Sequence, residues 1–165
     1  MIEWPEIMLR LGAATLAGGA IGLNRELNDK PIGVRTLGLV GLASALVVLV
    51  VALDDATPHV SDATSRVIQG LLTGIGFLGA GVIVQGRHHG HVHGLTSAAC
   101  VWFTASLGVI CGLGHWQPVF AALVIALLLL TCGGPAEKLA RRLIGSSEAP
   151  RRRRNPDENP PDDPA

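Results

Sequence analysis

Apolar residues run along this chain in long unbroken blocks, and the polar ones collect between the blocks. Residues 36–53, TLGLVGLASALVVLVVAL, pass 18 positions without a charge. A helix of that length approaches the ~30 Å hydrocarbon core of a bilayer at ~1.5 Å per residue. Four further stretches share this character: 7–23, 67–85, 95–113, and 116–132 with continuation towards Ala136. A soluble chain of 165 residues has no core large enough to bury five such helices. The pattern therefore predicts an all-α, polytopic transmembrane helix bundle of five spans.

The first and last spans carry the weakest signals. Arg10 lies inside the first, but Glu6 precedes it by four residues in the favourable acid-before-base order, and its stem is long enough to snorkel. The last is short unless its helix continues through Lys138, Arg141 and Arg142. Charge then sets the orientation. With the N-terminus out and the C-terminus in, 11 of the 13 basic residues fall on the cytoplasmic side, leaving Arg10 and Arg66 outside. Trp4 and Trp116 then sit at the outer interface, where indoles prefer to lie. A cleaved signal peptide fits poorly, because Glu3 and Glu6 stand where a basic n-region is expected.

A net charge of zero conceals this segregation and gives no reason to expect nucleic acid as a partner. Cys100, Cys111 and Cys132 all fall within spans without metal-ligand spacing, and read as packing residues. From Gly145 the composition changes to small polar residues, then Arg151 to Arg154, then a Pro/Asp/Glu/Asn run. The expected organisation is a transmembrane domain over 1–143 and a disordered cytoplasmic tail over 144–165. Its arginines suit either a topology anchor, the blander reading, or contact with anionic lipid.

Small residues recur at four-residue spacing within the spans. Ala14, Gly18 and Gly22 do so in the first, Gly41 and Ala45 in the second, Gly70 and Gly74 with Gly76 and Ala80 in the third, and Gly108 and Gly112 in the fourth. Such stripes let helix backbones approach closely, so helices one to four are expected to pack together, with the Leu- and Val-rich fifth facing lipid. Gly79 and Gly81 raise the density further in the third helix. Close packing is the commoner cause of such density, and a broken helix exposing carbonyls is the sharper alternative.

Three polar groupings are candidates for chemistry. On the basic inner side, Arg25, Lys30, Arg35, Arg87 and His93 crowd two loops where the second and fourth helices begin, and Thr96 or Ser97 is placed to cap the fourth. Arg25, Glu26, Lys30, Arg35 and Thr96 thus form a candidate anion or partner site; the plainer reading is a topology signal neutralised by Glu26 and Asp29. Outside, Asp54, Asp55 and Asp62 offer hard oxygen ligands suited to Mg²⁺, though solvated loop acids and a helix cap explain them as well. His88, His89, His91 and His93 alternate in a loop without closed-site spacing, and a variable loop is favoured over a metal site. No nucleophile stands near a base at convincing spacing and there is no Walker motif, so no catalytic residue, enzyme activity or obligatory cofactor is expected.

Asn24-Arg25-Glu26, the run Lys30 to Thr36, Arg66 followed by GIGFLGAGVI over 74–83, and Val92 to Ala99 with Trp102 resemble in order and spacing the membrane domain of the MgtC/SapB family. The family commonly has Glu at the position of Asn24 and Thr at that of Ser97. Many members also carry a soluble C-terminal domain, where this chain has its arginine/proline tail. The resemblance implies a bacterial inner-membrane protein of magnesium homeostasis and, in pathogens, survival inside host cells. It implies a regulator acting on other membrane machinery, including the proton-driven ATP synthase. An ion transporter or channel is the alternative, for which only Gln69, Thr73, Thr104 and Ser106 offer polarity along the spans. A structural element that dimerises through its glycine faces is the third reading.

Overall fold

The computed structural model describes residues 2–54, 62–85 and 94–144 of the chain, with side chains to residues 53, 83 and 133 of those segments. The described residues form five helices: α1 (Trp4–Leu27), α2 (Val34–Asp54), α3 (Asp62–Gln85), α4 (Leu95–Leu113) and α5 (Trp116–Ile144). Each is long and apolar enough to cross a membrane. Arg87, His88, His89, His91, His93 and Asp55 lie outside the described residues, as does the tail from residue 145. The chain divides into two units, residues 1–131 and 132–165, and the described part of the second is the end of α5.

Several helices outrun their apolar cores, because interfacial turns are polar and helical at once. α1 starts at Trp4 with Pro5 and Glu6 in its first turn, where a missing N–H and a negative charge both suit a helix N-terminus. It closes through Lys30 N–H to the Arg25 carbonyl at 3.0 Å and Asp29 N–H to the Glu26 carbonyl at 3.1 Å. Asp29 takes the left-handed conformation, φ 52°, that this paired closure needs. α3 begins at Asp62, five residues ahead of its apolar stretch, and α5 continues through Lys138, Arg141 and Arg142.

Packing centres on α1, α2 and α4, and the contacts are backbone to backbone. A Cβ placed on Gly18 would strike the Leu37 carbonyl oxygen, and one on Gly22 would come within 2.6 Å of the Val34 Cα. On Gly41 it would lie 2.5 Å from the Ala14 carbonyl oxygen, on Gly108 2.5 Å from that of Gly41, and on Gly112 2.7 Å from that of Ala45. Where lipid removes the hydrophobic drive for helix association, this closeness supplies it through dispersion. Ile21, Leu37, Val48, Leu49, Val101 and Leu107 fill the space between.

α3 departs from the expectation. Gly70, Gly74, Gly76 and Gly81 meet nothing within 4 Å, and Gly79 reaches only the Ala98 Cβ at an ordinary 3.7 Å. α3 turns Leu71, Ile75 and Val82 towards the core, and Gly70, Gly74 and Gly81 fall together on a flank turned away from it. Among the described residues, nothing packs against Gly70, Gly74, Gly76 and Gly81. The helix is also continuous from Asp62 to Gln85, which corrects the broken-helix alternative. α5 adds Val119 to the core, with Ala122 and Leu123 against it, while Phe120, Val124 and Leu128 stay exposed as expected of a lipid-facing helix.

Candidate functional site at the basic rim

The end of α1 and the start of α2 are held together at close range. Gly33 caps α2, its carbonyl accepting from Leu37 N–H at 3.2 Å. The Glu26 carboxylate accepts from Val34 N–H at 3.3 Å, so an acid meets the positive end of the α2 dipole. A Cβ on Gly33 would sit 2.6 Å from that carboxylate. Just before it, Ile32 holds φ 74°, a left-handed conformation that β-branched residues rarely adopt. Glu26, Lys30 and Arg35 line one open recess with Gly33 and Thr36, and all three charged side chains are exposed.

Arg25 points elsewhere. It is only 7% exposed, and its Nη2 donates to the Ser97 hydroxyl of α4 at 2.5 Å. Its Nε is buried without a partner. Among the described residues the one ion pair joins Arg10 and Glu6, so no described carboxylate accompanies Arg25. α4 opens at Gly94, which adopts φ 92° and has no side-chain cap. A Cβ there would lie 2.9 Å from the Val82 carbonyl oxygen, so close approach and backbone conformation both call for glycine.

The five residues singled out by sequence therefore fall into two places. Glu26, Lys30 and Arg35 gather at the start of α2, while Arg25 reaches the start of α4. Thr96 caps nothing: it is exposed and lines an apolar groove between α1, α4 and α5. Ser97, weighed in the sequence only as a cap, proves to be the partner of Arg25. Its burial and its partner follow from how α1 docks on α4.

At the opposite end, Arg10 Nε pairs with Glu6 Oε1 at 2.7 Å, and its Nη1 donates to the Gly112 carbonyl at 2.9 Å. Asp54 ends α2 and Asp62 begins α3, where it is exposed. Among the described residues no three His, Cys, Asp or Glu side chains group as metal ligands. Of the four polar candidates along the spans, only Thr104 is fully buried, its hydroxyl unpartnered and its methyl against Gly18 and Gly41. Gln69 and Thr73 are exposed on α3, and Ser106 bonds back to the Trp102 carbonyl of its own helix.

Five apolar spans bearing this rim match the family model described as the MgtC family over residues 11–139. The chain belongs to the MgtC family. Relatives of this MgtC-family chain include protein SrpB of Synechococcus elongatus, 42% identical over 139 residues that cover 78% of the chain and 75% of SrpB. Protein SapB of Bacillus subtilis is 34% identical over 78% of the chain and 58% of its own length. Protein MgtC of Salmonella typhi is 36% identical over 92% of the chain and 62% of its own length. The chain thus spans about six tenths of SapB and MgtC. No solved structure matches it. Family and helices together make this a multi-pass membrane protein.

Proposed function

We propose that this MgtC-family chain is a membrane regulator in adaptation to magnesium limitation, acting through contacts with other membrane proteins. The observation that carries this reading is the bare face of α3. Gly70, Thr73, Gly74, Phe77 and Gly81 lie on one side that, among the described residues, no other helix covers, with Phe77 83% exposed. Each glycine costs about 1 kcal/mol of helix propensity relative to Ala, and among the described residues nothing packs against these to offset it. A partner helix laid on this face would gain the backbone approach that α1, α2 and α4 gain from one another. By family resemblance the partner is a membrane complex such as the proton-driven ATP synthase. In this reading the rim with Arg25, Lys30 and Arg35 faces the cytoplasm.

Magnesium transport is the competing reading, and the interior of the bundle disfavours it. Among the described residues the buried polar side chains are Arg25, Ser44, Thr64, Ser97 and Thr104, none of them an acid. A cation crossing there would find one buried positive charge and no carboxylate. Purified chain in liposomes loaded with a magnesium-sensitive dye decides between the two. No uptake above protein-free vesicles is expected, and saturable uptake would return the transporter reading.

A further inference from the structure

Two features of the rim point at one another. The first turn of α4 presents the N–H groups of Leu95, Thr96 and Ser97, which have no acceptor inside their own helix, at the positive end of its dipole. Into that turn comes the Arg25 guanidinium, bonded to Ser97, more than nine-tenths buried and with Nε unpartnered. A cation beside a helix N-terminus is repelled by it, whereas an anion between the two would be held by both. Among the described residues no carboxylate accompanies Arg25 there. Glu26 is engaged with Val34 N–H at the start of α2, and the segment leading into α4, GRHHGHVH over 86–93, contains no acidic residue. At the corresponding position on α2 a carboxylate of the chain itself is present; on α4 an arginine stands instead.

Beside this unbalanced charge lies an apolar groove of about 410 Å³ between α1, α4 and α5, within the ~300–1,000 Å³ range of ligand sites. Ile21, Thr96, Cys100, Phe103, Ala126 and Leu129 line it. Thr96 is the neighbour of Ser97, and Ile21 stands one turn from Arg25 on α1, so the groove begins beside the charged end. From Thr96 to Phe103 it runs along α4 for about 10 Å at ~1.5 Å per residue, away from the rim and into the span. A positive, donor-rich head near the end of an apolar slot that Arg25 and Ser97 do not themselves line fits an anionic phospholipid: its phosphate oxygens would accept from Arg25 and the α4 N–H groups, and one acyl chain would occupy the groove.

We propose that this MgtC-family chain binds one anionic phospholipid, with the phosphate at Arg25, Ser97 and the start of α4 and an acyl chain between α4 and α5. The site depends neither on α3 nor on any protein partner.

The test uses the full chain purified in detergent, stripped of lipid, and titrated with phosphatidylglycerol, phosphatidylcholine or inorganic phosphate under native mass spectrometry. One phosphatidylglycerol is retained per protomer in preference to phosphatidylcholine. Arg25→Gln weakens retention by roughly tenfold or more, because charge-assisted bonds to phosphate are lost. Arg25→Lys, which keeps the charge but not the planar fork, falls between. Ala126→Trp, which fills the groove from α5 and leaves Arg25 untouched, weakens retention as well, and this arm carries the test if Arg25→Gln fails to fold. Equal retention by the parent, Arg25→Lys and Ala126→Trp overturns the proposal. So does displacement of phosphatidylglycerol by inorganic phosphate with Ala126→Trp behaving as the parent, since the site would then take a free anion and no lipid chain. Retention is read on isolated protein and growth reads the partner, so this inference and the regulator reading can fail separately.

Discussion

Arg10, near the start of α1, donates a 2.9 Å hydrogen bond to the carbonyl of Gly112, next to last in α4, 102 residues away in sequence. That carbonyl is one of the last four of its helix and has no acceptor role within it, and the guanidinium also meets the negative end of the α4 dipole. Glu6 holds the same side chain from below at 2.7 Å. Arg10 is thus a clamp between two helices, in addition to the snorkelling base that its position in the sequence suggests.

Removing the clamp should be costly in proportion to its bonds. Arg10→Met is expected to lower stability by about 1–3 kcal/mol, the range for leaving a carbonyl unpaired and losing a charged donor. Glu6→Gln should cost less, because the bond to Gly112 survives. Thermal melting in one detergent gives the order, and Glu6→Gln falling further than Arg10→Met would contradict it. Gly114→Ala belongs to the same series: Gly114 holds φ 80°, and a Cβ would lie 2.6 Å from the Arg10 guanidinium.

Glycine substitutions should divide by helix. Gly108→Ala and Gly22→Ala force a Cβ onto backbone atoms at 2.5 and 2.6 Å and should destabilise by about 1–3 kcal/mol, as overpacking does. Gly74→Ala meets open space and should stabilise α3 by up to about 1 kcal/mol through helix propensity. Equal losses at all three positions in a melting series would remove the distinction between packed and bare glycines.

At the basic rim, Glu26 and Arg35 should respond differently. Glu26→Ala removes the acceptor at the start of α2 and is expected to cost about 0.5–2 kcal/mol, the range for a lost cap. Arg35 is exposed and makes no described bond to the bundle, so Arg35→Lys should leave the melting temperature unchanged. A drop for Arg35→Lys as large as that for Glu26→Ala would show that Arg35 carries structural weight in the rim.

How much of this was legible in the sequence depends on the kind of signal. Five spans were readable because hydrocarbon demands long apolar runs, and the Glu6–Arg10 pair because four-residue spacing on a helix is local. The bond from Arg10 to Gly112 was not, since it joins positions 102 residues apart. The glycine stripes show the same limit. Gly18 and Gly74 look alike in sequence, but Gly18 meets the Leu37 backbone while Gly74 meets nothing within 4 Å. In a membrane both the core and the surroundings are apolar, so polarity does not mark which face of a helix turns inward. Arg25 was grouped with Lys30 and Arg35 by proximity along the chain. Its burial against Ser97 is a consequence of helix phase and of how α1 docks on α4.

Orientation has its own check. With the N-terminus outside, Ser61→Cys is expected to label only from the outer side and Ser147→Cys only from the cytoplasm. Cys100 and Cys111 are buried but Cys132 is exposed, so the experiment calls for a Cys132→Ser background. Labelling of Ser61→Cys from the cytoplasm alone would invert the bundle.

The central claim is that the uncovered side of α3 is a working surface for a partner, and growth under magnesium limitation tests it most directly. A strain lacking its own MgtC-family protein is supplied with the parent or with a Gly70→Leu, Gly74→Leu variant at equal expression. The variant should insert and melt as the parent does, because both positions face open space, and yet fail to support growth, because leucines there keep a partner helix from close approach. Growth equal to the parent, with the variant folded in the membrane, would contradict the account.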